Sequence, residues 1–122
     1  MTSRTITLSR LYVWNNRAYF SGTEAWKERG LNRSPDPVPY LLTSCKDSLV
    51  KALLEGAVAG LGETEMCAII VEHWSRAMKP AHFDTEEREF LGDCFFQIAA
   101  SLELSSFEAE FARWCVEKGG YS

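Results

Sequence analysis

The stretch IIVEHWSRAMKPAHFDTEERE, residues 69–89, holds both histidines of the chain, His73 and His82, with carboxylates on every side. Imidazole and carboxylate are the groups from which acid–base and zinc sites are assembled. A zinc site carried on one helix needs ligands at i and i+4, as in H-E-x-x-H, and that spacing is missing here. At about 100° per residue, His73 falls within the apolar arc of Met66, Ile69 and Ala77. Glu65 and Glu72 point to another side, where Glu72 and Arg76 make an i,i+4 pair. The residues therefore predict a core-edge histidine, a surface histidine and a helix–turn–helix join. A metal or catalytic site using His73 and His82 ranks behind two non-catalytic readings, and no catalytic or metal-ligating residue is assigned.

The four cysteines, Cys45, Cys67, Cys94 and Cys115, stand 22, 27 and 21 residues apart, one to each of four helical patterns. Structural zinc sites usually show short ligand pairs, whereas isolated cysteines are common small core residues. No phosphate-cradling glycine loop, nucleophile elbow or dinucleotide fingerprint is present. No cofactor is expected.

The elements that must position these residues belong to one domain, spanning all 122 positions. No apolar run approaches the roughly 20 residues that cross a bilayer. The opening MTSRTITLSR has no apolar segment behind its arginines, so no export signal is read and a reducing cytoplasm with free thiols is expected. The net charge of −4 is uneven. Residues 1–61 carry eight Lys/Arg against five Asp/Glu, and residues 62–122 carry five against twelve. An acidic half argues against nucleic acid and suits a basic protein partner.

The predicted fold class is α+β, mainly α: an N-terminal hairpin packed on about four helices. TITLSRLYVWNNRAYFSG is rich in β-branched and aromatic residues, and Asn15-Asn16 would form a two-residue turn in a hairpin over about 5–21. Trp14 would then face Arg17, and Tyr12 would face Tyr19. TEAWKERG reads as a short helix. Pro35, Pro37 and Pro39 predict an extended crossing over 33–42. The bundle, about 43–119, starts with a helix near 44–60, capped by Ser44 and striped by Leu49, Leu53, Leu54 and Val58. Ala52, Gly56 and Gly60 form its small flank. A second helix spans about 63–78. A third opens at Asp84, with acids in the first turn where the helix dipole favours them. A fourth opens with a Ser105–Glu108 capping box and stops at Gly119-Gly120.

Asp84, Glu86, Glu87, Glu89 and Asp93 fall within ten residues, with only Arg88 to offset them. Glu89 and Asp93 are like charges at i,i+4, a small cost that a surface kept for a basic partner tolerates. Trp14 is the second candidate contact, as an aromatic anchor. The alternative is an adaptor acting as a homodimer through Trp14 or the Gly56/Gly60 flank.

The order of an aromatic start, SPDPVPYLL and a KDSLVKALLEGA helix resembles the opening of some immunity proteins of bacterial contact-dependent growth inhibition, over about residues 6–60. Where that family has an acidic, Gly-bearing entry to the helix, this chain reads TSCKDSLVKA. The resemblance implies a cytoplasmic, non-enzymatic protein that binds and blocks one cognate toxin domain. Such toxins are often nucleases with basic clefts, which an acidic face would suit.

Overall fold

A computed structural model describes residues 2–79 and 82–118, and every regular element among them is helical. The helices are α1 Arg4–Asn16, α2 Glu24–Glu28, α3 Val38–Val58, α4 Glu63–Met78, α5 Thr85–Ser101 and α6 Phe107–Lys118. The expected α+β class is overturned, because α1 and the bend after it stand where the hairpin was predicted. Thr7, Leu11 and Trp14 are buried at i, i+4 and i+7, a helical spacing that packing rewards over β propensity. The Ser3 hydroxyl accepts from the Ile6 amide and caps the start. Trp14 and Arg17 now meet as neighbours at a helix end: the Arg17 amide donates to the Trp14 carbonyl.

The Pro-rich crossing is shorter than its sequence suggests. Pro37 and Pro39 occupy the cap and first turn of α3, where a missing N–H leaves no helical bond unmade. The helix therefore begins at Val38, and Ser44 lies inside it. Its far end closes at Gly60, φ 79°, with the Leu61 amide returning to the Gly56 carbonyl at 3.0 Å. A Cβ on Gly56 would meet Leu61, Met66 and Ile69 side chains at 3.1–3.3 Å, so the small flank is filled from within the chain. The same chain reversal after α5 puts Glu103 at φ 55°.

α3 packs between α1 and α4, α5 packs on α1, α3 and α4, and α6 packs on α4. One side chain stands apart in this core. Lys46 is 1% exposed and sits on α3's apolar stripe between Leu42, Leu49 and Leu53. Its ammonium donates to the carbonyls of Trp14 at 2.7 Å and Arg17 at 2.9 Å. These are carbonyls at the C-terminus of α1, where unpaired oxygens and the helix dipole both favour a cation. Asp47 Oδ1 lies 2.9 Å from the same ammonium as an ion pair outside hydrogen-bond geometry.

Two aromatic clusters fill the remaining interior. Tyr19, Phe20 and Trp26 surround Phe90 with ring centroids 5.5, 4.9 and 4.8 Å away. Trp26, on the five-residue α2, also donates its indole N–H to the Phe20 carbonyl at 2.9 Å. Trp74, Phe95 and Phe111 form the second cluster, joined to Phe96 and Phe107.

Candidate interaction face

The histidine stretch is a join between helices. His73 is half-buried on α4, and its Nδ1 donates to the Ile69 carbonyl one turn earlier at 2.9 Å. His82 is exposed in the connection to α5. Among the described residues, no three His, Cys, Asp or Glu side chains converge as metal ligands would. The cysteines sit on four different helices, Cys67 and Cys94 buried. Burial pushes every thiol above its ordinary value, that of Cys94 up to about 12, so little nucleophilic thiolate forms at neutral pH. Burial likewise raises the Tyr19 phenol to about 12, and its oxygen accepts from Gln97 Nε2 at 2.8 Å.

The acidic cluster divides into two groups. Asp84 caps α5, accepting from the Glu87 amide at 2.8 Å. Glu87 returns the bond to the Asp84 amide and accepts the Ser34 hydroxyl at 2.5 Å, which leaves it 7% exposed. These two carboxylates build the helix start and tie the 31–37 segment to it. Glu86, Glu89 and Asp93 instead share the outward stripe of α5 with Gln97 and Ala100, all exposed. Asp93 is ion-paired to Arg29, whose guanidinium lies 5.0 Å over the Phe90 ring. Trp14 is not an exposed anchor. It is 6% exposed, its indole N–H donates to Ser101 Oγ at 3.0 Å, and Arg17 covers its ring at 4.7 Å.

Grooves flank the α5 stripe on both sides. An open groove of about 500 Å³ runs between α1 and the C-terminal half of α5, lined by Arg10, Val13, Trp14, Arg17 and Ser101. One of about 320 Å³ lies on the other side, lined by Arg29, Glu89, Gly92, Phe96 and Phe111. In the first groove, Arg10 is held by the Ser101 carbonyl at 2.6 Å and the Glu103 carboxylate at 3.1 Å. Arg10 and Arg17 did not figure among the sequence candidates. The available signal was that residues 1–23 contain three arginines and no acid.

A further carboxylate does structural work outside this face. Glu63, in the first turn of α4, accepts from the Ser106 hydroxyl at 2.6 Å and amide at 3.1 Å, in the place where Glu108 was expected to close the cap of α6. The Ser106 hydroxyl bond, opposed by partial burial and aided by the Ser106 amide, holds its carboxyl below the ordinary value. Because the folded value is the lower one, this contribution is complete above the ordinary carboxylate range and is lost as pH falls through Glu63's own value. Glu63→Gln should therefore flatten the acid limb of a stability–pH profile, checked by urea unfolding between about pH 6 and 3. An acid limb superimposable on that of the parent protein would show that the Ser106 tie contributes nothing.

No helix among the described residues is long and apolar enough to cross a membrane. No family model, curated protein or solved structure matches the chain.

Proposed function

We propose that this is a non-catalytic binding protein that engages a basic protein surface through the outward stripe of α5. In its specific form it is an immunity protein that blocks a cognate toxin domain in the cytoplasm. The observation that carries this reading is the placement of Glu86 and Glu89, beside an Asp93 paired to Arg29, on one exposed stripe with grooves on both sides. Carboxylates so placed accelerate encounter with a cationic cleft, and the grooves offer room for the partner's side chains once it lands. The bundle beneath would then obstruct the cleft by its bulk, with no chemistry of its own.

The test is capture of the partner with the tagged protein, its identification, and stopped-flow association with the purified domain. The double variant Glu86→Arg/Glu89→Arg should slow association about tenfold at low salt and flatten its salt dependence. Both side chains are exposed, so the fold should persist, at a cost of about 1 kcal/mol for placing a cation at Glu86 in the first turn of α5. Association rates that match the parent protein at every salt concentration would remove α5 from the interface. Recovery of a partner without a basic surface would reject the toxin reading.

A further inference from the structure

The face built by α1 and α5 carries opposite charge at its two ends. From Arg10 to Tyr19 the chain runs against the direction of α5: Arg10 reaches Glu103 and Ser101, Trp14 reaches Ser101, and Tyr19 reaches Gln97 and Phe90. Arg10, paired with Glu103, and Arg17 therefore lie beside the C-terminal half of α5, and Glu86 and Glu89 occupy the N-terminal half. Arg17 is exposed, spread over the rings of Trp14 at 4.7 Å and Tyr19 at 5.1 Å, and forms no ion pair among the described residues. At the middle of the stripe, Asp93 is already neutralised by Arg29.

We propose that the protein associates with a second copy of itself through this face, the Arg17 end of one copy meeting the Glu86/Glu89 end of the other about a two-fold axis. An isologous contact needs a surface complementary to itself, and opposite charges at the two ends of one face meet that condition. Glu89 and Ala100 stand roughly 16 Å apart along α5 at 1.5 Å per residue. An axis through the stripe between them, near Asp93, brings each carboxylate end over the partner's Arg17. Val13, 62% exposed beside the larger groove, and Ala100 supply apolar contact next to the ion pairs. Exposed ion pairs are individually weak and screened by salt, so the dimer dissociates readily and is strongest at low ionic strength. This contact does not rest on the toxin reading, since it involves no other protein. A basic partner landing on Glu86 and Glu89 would compete with it.

Sedimentation equilibrium of the purified protein across a wide concentration range, at low and at about 0.15 M salt, tests the contact without any partner. The parent protein should dimerise at low salt and weaken as salt rises. Arg17→Glu and Glu89→Arg should each weaken self-association by roughly tenfold or more. Mixed together, these two variants should form a heterodimer, because each contact then joins a glutamate to an arginine. The double variant Arg17→Glu/Glu89→Arg should recover self-association by the same logic. A parent protein that stays monomeric throughout overturns the proposal. So does a dimer indifferent to the single variants, or a mixture that fails to pair. None of these results depends on whether a toxin domain is ever captured.

Discussion

Lys46→Met should destabilise the fold by about 2–4 kcal/mol, measured by urea unfolding at neutral pH. Methionine keeps the length and most of the volume of the side chain, so the expected loss is the ammonium's. Without it the buried Trp14 carbonyl keeps only the Arg17 amide as donor, and the part-buried Arg17 carbonyl loses its charged partner. Removal of a buried cation relieves its own desolvation, which is why the expected loss is smaller than the gross strength of two charge-assisted bonds. Asp47 is half-exposed and can turn to water when its neighbour goes. Lys51→Met, exposed on the same helix, should change stability by no more than about 0.5 kcal/mol. Equal effects at the two positions would mean that Lys46 does not anchor α1.

Phe90→Ala should destabilise by about 3–5 kcal/mol, the range for emptying a large aromatic site in a core. The effect should also have a location. Phe90 is the ring on which Tyr19, Phe20 and Trp26 converge, so it is what the segment between α1 and α3 packs against. That segment contains only the five-residue α2, too short to persist by its own helical bonds. Limited proteolysis of the variant should cut first between residues 17 and 37, while α3 to α6 stay protected. Cleavage distributed evenly along the chain would show instead that the bundle unfolds as one unit.

Much of this bundle was legible because packing and local pattern agree in α3 to α6. Their stripes of Leu, Ile and Phe repeat at helical spacing, and Asp84 with Glu87 marks the start of α5 as expected. α1 was misread because Thr5, Ile6, Tyr12 and Val13 favour strands, although they face outward where propensity has little to act on. The three buried positions, Thr7, Leu11 and Trp14, already carried the helical spacing. Lys46 offered a comparable clue: a charge set among Leu42, Leu49 and Leu53 is a buried charge in need of acceptors. Its acceptors lie 29 and 32 residues upstream, at the end of a helix that the predicted hairpin had erased. Glu87 and Glu63 were hidden for the same reason, since Ser34 is 53 residues from one and Ser106 is 43 from the other. The interaction face inherits both kinds of error. Of its five carboxylates, Asp84 and Glu87 are spent on the start of α5 and Asp93 on Arg29, and the arginines beside it appear only once α1 is a helix.

The bonds from Arg10 and Trp14 to Ser101 span 91 and 87 residues. On the ribosome, α1 therefore emerges well before the residue that ties it down. Lys46 can hold the end of α1 once α3 is out, but Trp14 lacks its Ser101 partner until α5 has been made. The final seating of α1 thus waits on the emergence of α5. In the interval, the newborn protein exposes an apolar ridge that the finished one conceals, the kind of surface that holding chaperones recognise.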